Sequence, residues 1–121
     1  MKVKIDTKEK MHVITVEEEE MPANLTEEIK NLCLKYLSEP VKNLVVNLKE
    51  VKEMDLSVAQ ALVSIQQSFM EANHSLVFCN LQSTVSDLLD RTELIEMMNV
   101  TRTESEAWDI VQMEEIEREY L

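Results

Sequence analysis

Three features of this sequence predict an α/β fold, a mixed sheet of four or five strands packed against about four helices. Short apolar runs of strand type alternate along the chain with longer segments of helical apolar spacing. Helical segments recurring between strands require crossover connections, and so a mostly parallel sheet. Finally, 121 residues with 45% apolar and 30% charged side chains suit one domain, 1–121, with a core of its own.

Taken in order, Val3, Ile5 and Thr7 alternate with charged residues, and His12, Ile14 and Val16 share one face of the next run. With Lys8-Glu9-Lys10 as a turn between them, the two read as a half-buried hairpin. Glu17–Glu20 reads as a solvated strand end. After Pro22, Asn24 and Glu27 have capping-box spacing ahead of Leu25, Ile29, Leu32, Cys33, Tyr36 and Leu37, a helix that Pro40 ends. Leu44–Leu48 is a strand buried on both faces. A second helix runs from near Ser57 to about Ala72, with Val58, Leu62, Ile65 and Phe69 inward, and Asn73 suits a left-handed C-cap. Ser75–Cys79 is another buried strand, and a third helix is expected from Ser83 to about Met98. Val100–Arg102 is a brief edge strand. Thr103 and Glu106 box the start of a last helix whose core residues should be Ala107, Ile110, Val111 and Met113.

Charge narrows the function. Of 24 acidic and 12 basic residues, 61–121 holds 12 and 3, net −9 within a total of −12. Such a field repels a phosphate backbone and attracts a basic protein, so the expected partner is a protein and not a nucleic acid. No glycine is present, where average usage gives about 8. Phosphate-cradling loops, dinucleotide-binding turns and nucleophile elbows all need glycine, and none of them is expected. Cys33 and Cys79 sit apart in apolar contexts, reading as buried free thiols with no metal spacing. His12 and His74 stand in no catalytic pattern, so neither a catalytic residue nor a cofactor is expected. The first residues lack the apolar core of a signal peptide and no run is long enough to span a bilayer, so a cytoplasmic protein without membrane insertion is expected.

The stretch Val45-Val46-Asn47-Leu48-Lys49-Glu50-Val51-Lys52-Glu53-Met54-Asp55-Leu56-Ser57-Val58-Ala59 is a buried strand, a short excursion and a helix start. Leu89-Asp90-Arg91-Thr92-Glu93-Leu94-Ile95-Glu96-Met97-Met98 is a helix and its exit. Together, in this order and spacing, they resemble the STAS domain of bacterial anti-sigma-factor antagonists. The first is similar to that family's Asp-Leu strand end followed by Asp-Ser-Ser-Gly, the second to its Leu-x-x-Thr-Gly-Leu. Departures are Asn47 for the usual Asp, Leu56 and Val58 for the first Ser and the Gly around Ser57, and Glu19-Glu20-Met21-Pro22 for the usual Gly-x-Leu-Asp. The resemblance implies a STAS-type fold and a non-catalytic regulatory module. Its partner would be an anti-sigma factor or a serine kinase of histidine-kinase-like ATPase fold. Ser57 falls on the position that such a kinase phosphorylates, and Asp55, Leu56, Ser57 and Val58 become the candidate partner-binding residues. A STAS subunit of a lipid-transport ABC assembly, docked on its ATPase and not phosphorylated, is the alternative.

Simpler roles stand beside these. Ser57 and Gln60 have S-x-x-Q capping-box spacing, worth about 0.5–2 kcal/mol relative to Ala without any partner. Asp55 can satisfy loop N–H groups in an Asx-turn. Asn47, inside an apolar strand, is expected to be a hydrogen-bond hub. Met97, Met98 and Met113 suit core gap-filling or an adaptable binding face, and Trp108 suits packing or a partner contact.

Overall fold

The computed structural model describes residues 1–120. Its main sheet has five strands in the order β1 (Val3–Thr7), β2 (Met11–Val16), β4 (Asn43–Asn47), β6 (Leu76–Cys79) and β7 (Val100–Thr101). Two shorter strands, β3 (Glu20–Met21) and β5 (Glu53–Met54), pair in a separate ribbon. The helices are α1 (Thr26–Leu34), α2 (Leu56–Glu71), α3 (Ser83–Arg91) and α4 (Glu104–Tyr120), with single 3₁₀ turns at Ala23–Leu25, Lys35–Ser38 and Leu94–Met97. β1 and β2 form the expected antiparallel hairpin, closed by Lys8 N–H donating to the Met11 carbonyl at 2.8 Å. The remaining neighbours are parallel, as helical crossovers demand.

Alternation along the central strands divides the core in two. Ile14, Leu44, Val46, Leu76 and Phe78 point toward α1, α2 and α3 and join Ile29, Leu62, Ile65 and Phe69 in the larger cluster. Met11, Val13, Val45, Val77 and Cys79 point the other way, where Ala107 and Val111 of α4 cover them. β2 is therefore buried on both faces, while β1 is exposed from Lys4 to Thr7 with only Val3 partly buried, so neither strand has the half-buried alternation expected of the hairpin. The physical reason is position: β2 lies inside the sheet, between β1 and β4.

Local signals at the helix ends were realised only in part. The expected Asn24 capping box does not form. A 3₁₀ turn precedes α1, whose N-cap is Leu25, without a side-chain cap. The third helix stops at Arg91, because Thr92 Oγ1 donates to the Leu88 carbonyl at 2.7 Å and Glu93 turns left-handed at φ 62°. Asn73 and Asn80 are also left-handed, at φ 60° and 58°, so a chain without glycine uses asparagine at two of the three such positions among the described residues. At the start of α4, Glu106 N–H donates to Thr103 Oγ1 at 3.1 Å as expected, while the Glu106 carboxylate accepts from Arg102 N–H instead of Thr103. Met113 is 55% exposed, which corrects its assignment to the core: it lies on the helix face opposite Ala107 and Val111.

Candidate functional site at the start of α2

The chain arrives at α2 through a tightly held loop. Asn47 ends β4 with its side chain 4% exposed; its Oδ1 accepts Lys49 N–H at 2.9 Å and its Nδ2 donates to Glu104 Oε1 at 3.1 Å. This is the hydrogen-bond hub that a buried amide requires. Val51 and Met21 are buried anchors on either side. Between them the β3–β5 ribbon is stitched by the Glu19 carbonyl, which accepts Lys52 N–H at 2.7 Å and Glu53 N–H at 3.1 Å. Asp55 N–H donates to the Met21 carbonyl at 2.9 Å. From the other flank, Gln82 Nε2 donates to the Lys49 carbonyl at 2.6 Å and the Thr84 hydroxyl to that of Lys52. The loop before the helix is thus held by hydrogen bonds from three separate parts of the chain, Glu19 and Met21, Gln82 and Thr84, and Glu104.

Asp55, not Ser57, is the N-cap. Its backbone is extended, at φ −70° and ψ 149°, and its Oδ2 accepts Ser57 N–H at 2.9 Å. The same oxygen accepts the Ser57 hydroxyl at 2.5 Å, and the Thr26 hydroxyl donates to Ser57 Oγ at 3.2 Å. Ser57 is the second residue of the helix, and Gln60 is exposed, so the expected Ser57–Gln60 capping box gives way to the Asx-turn at Asp55. The two Ser57 hydrogen bonds, the side-chain one foremost, hold the Asp55 carboxyl below its ordinary range. Asp55 is accordingly a carboxylate at neutral pH and a weak base. It can orient the Ser57 hydroxyl and can do little to deprotonate it.

Of the four candidate partner-binding residues, three are accessible. Asp55 is exposed, Leu56 is 45% exposed and Ser57 is partly exposed. Val58 is fully buried in the larger cluster, so it positions the helix start and offers a partner no surface. A shallow hollow of about 270 Å³ adjoins Asp55, walled by Glu20, Met21, Pro22, Glu53 and Met54. The β3 wall of this hollow went unread in the sequence, where Glu17–Glu20 looks only like a charged run. What this edge offers is a presented hydroxyl beside a helix N-terminus.

Elsewhere the chemically able side chains are occupied. Burial pushes the thiols of Cys33 and Cys79 up to about 12, and both are free and buried. His12 bonds Thr7 Oγ1 and the Val41 carbonyl, each at 3.0 Å, and its ring lies against Tyr36. Trp108 is half-buried at the smaller cluster with the Lys8 ammonium over its ring. Met98 is half-buried against the larger cluster, whereas Met97 is 47% exposed. Among the described residues no group of three His, Cys, Asp or Glu side chains is placed to hold a metal, and no helix is long and apolar enough to cross a membrane.

Comparison with known proteins adds a family and a fold. The sequence model of the STAS domain matches residues 2–107. No curated protein matches the chain in sequence. Among solved structures, an anti-sigma factor antagonist from Mycobacterium paratuberculosis superposes with a TM-score of 0.79 at 12% identity, over 92% of this chain and 93% of that one. The phosphorylated form of the Bacillus cell-fate determinant SpoIIAA gives 0.66 at 17%, over 91% and 99%. The murine Solute Carrier 26 family member A9 anion transporter gives 0.71 at 14%, over 86% of this chain and 18% of that one. At these identities the structures speak for the fold alone.

Proposed function

The chain belongs to the STAS domain family, whose members are non-catalytic regulatory modules that bind partner proteins, and on that premise we propose that it is an antagonist-type switch acting through Ser57. Asp55, Leu56 and Ser57 form the docking edge, and the partner is an anti-sigma factor or serine kinase of histidine-kinase-like ATPase fold, met in the cytoplasm. The observation that supports this reading is the Ser57 hydroxyl, 2.5 Å from Asp55 Oδ2 on an accessible helix start. In the transfer, Ser57 Oγ forms the new bond to the γ-phosphorus of a nucleoside triphosphate. The bond to the diphosphate leaving group breaks, and the hydroxyl proton passes to a base of the kinase.

Phosphorylation would add about −1.5 to −2 charges against the Asp55 carboxylate. The carboxylate then swings away and the phosphate takes its place at the helix end, where the dipole favours a negative charge by about 0.3–2 kcal/mol. The domain survives this exchange, but a partner seated over the same edge does not, because it would have to bury an unpaired dianion. Ser57→Asp is expected to weaken partner binding at least about tenfold, or 1.4 kcal/mol, while Ser57→Ala binds nearly as wild type. Titration against the cognate partner, with intact-mass measurement of the protein from its own host, tests this. An unmodified mass together with a Ser57→Asp variant that binds normally would overturn the switch in favour of the permanently docked transport subunit.

A further inference from the structure

At the far end of α2, about 20 Å from Ser57 at 1.5 Å per residue, lies a second accessible feature unconnected with the phosphorylation edge. Two adjoining hollows of about 310 and 280 Å³ share Met70, His74 and Glu114 and together form a trough beside α4. Its apolar surface comes from Met70, Leu76, Met97 and Met98. Met70 is 67% exposed and Met97 47%, unusual values for large apolar side chains with no structural task. Methionine is unbranched and polarizable, so such a surface adapts to differently shaped apolar groups.

The uncommitted charges lining the trough are acidic. Glu96, Glu114 and Glu117 line it. Arg118 is its one lining cation among the described residues, and that guanidinium is committed to Glu115 Oε1 at 2.8 Å, Ser75 Oγ at 3.1 Å and Asn43 Oδ1 at 3.3 Å. His74 does not offset the acids. Burial, then Lys42 and Arg118, hold its pKa below the ordinary value, which leaves the ring neutral at pH 7. Gln66 is satisfied internally, donating to the Leu76 carbonyl and accepting Asn99 N–H.

We propose that this trough is a docking site for a cationic amphipathic helix of a partner protein. Apolar side chains on one face of that helix enter the two hollows, and flanking Lys or Arg residues meet the three glutamates. Charge complementarity selects this occupant. A second copy would bring the same acidic rim and a net charge of −12 to the contact, and nucleic acid would be repelled likewise. The surface is independent of Ser57, so the domain can hold one partner while another meets the switch edge.

The test uses the full chain with ¹³C-methyl-labelled methionine, titrated with a synthetic leucine–lysine amphipathic helix about four turns long and with a scrambled peptide of equal charge. The amphipathic peptide is expected to shift the methyl signals of Met70, Met97 and Met98 while Met54, beside the switch edge, stays put. Glu114→Lys should weaken the binding at least about tenfold. Met70→Lys, which replaces an exposed side chain and spares the fold, should do the same, and Ser57→Asp should change nothing. Equal shifts from the scrambled peptide, shifts led by Met54, or unchanged affinity in both trough variants would overturn the proposal. Concentration-dependent broadening of Met70 and Met97 without peptide would overturn it too, by making a second copy the occupant.

Discussion

The two faces of the central sheet are held by different physics. On one side α1, α2 and α3 cover a broad apolar cluster that includes Phe69, Phe78, Ile29 and Leu89, all fully buried. On the other a single helix, α4, covers five buried sheet residues, to which it adds only Ala107 and Val111 as buried residues of its own. Beyond Val111 the helix is fastened by polar groups. Asn43 Nδ2 donates to Glu115 Oε1 at 2.6 Å, Arg118 bridges Glu115, Asn43 and Ser75, and Ser75 N–H returns to Asn43 Oδ1 at 2.9 Å. The outward side of the same helix end carries exposed Met113, Ile116 and Tyr120. The contrast teaches that α4 is positioned by directional bonds at its C-terminal half, whereas α2 is positioned by area removed from water.

The largest effect expected from this contrast is on the broad face. Phe69→Ala leaves a cavity where the side chain is fully buried, and urea denaturation should show a loss of about 3–5 kcal/mol. A loss below about 1 kcal/mol would mean that the three-helix face collapses around the hole and is not the rigid side.

Smaller and more local is the loss expected from Arg118→Ala. It leaves Asn43, Ser75 and Glu115 short of a partner, at about 1–3 kcal/mol. Amide hydrogen exchange should quicken in the C-terminal half of α4 before it does in α2. If both helices quicken together, the latch belongs to the global fold and the two faces are not energetically distinct.

The mildest perturbation is acid. Hydrogen bonds from Asn43 first, then from Arg118, hold the Glu115 carboxyl below its ordinary range. A carboxyl depressed in the folded state stabilises fully above its unfolded pKa, about 4.3, and that contribution is lost as pH falls through the folded value. Exchange at the end of α4 should therefore rise below about pH 4 while Phe69 and its neighbours stay ordered. Glu115→Gln should remove this pH step, and a step that persists in the variant would assign it to another carboxylate. Asp55 follows the same sign at the start of α2.

Much of this architecture was legible beforehand because it rests on periodicity. The expected Leu44–Leu48 strand is Asn43–Asn47, one residue earlier, Leu76–Cys79 is a buried strand, and α2 starts one residue before Ser57 with Val58, Leu62, Ile65 and Phe69 inward. Periodicity was misleading for α4. Met113 stands three residues after Ile110 yet faces solvent, because that helix has one narrow face on the sheet, centred on Ala107 and Val111, and a second apolar face on the outside. The site was legible as a place, Asp55 to Ser57, but not as a set of roles. Ser and Asp both cap helices, and which of them does so depends on where the preceding strand delivers the backbone.

By itself, then, the sequence determined the class of fold, the central strands, the absence of glycine-built phosphate loops and the acidic field, since composition and local apolar spacing are properties of the chain alone. Tertiary structure decided the rest. The β3–β5 ribbon is two residues wide on each side and exists only because Glu19, Met21, Lys52 and Asp55 meet across more than thirty positions. The same holds for the Thr26–Ser57 contact and for the latch that ties Asn43 and Ser75 to the i,i+3 pair Glu115–Arg118, since nothing in the spacing of Asn43 and Ser75 points to that pair. A hydrogen bond between distant residues costs chain entropy that only the whole packed core offsets, so it leaves no local signature to read.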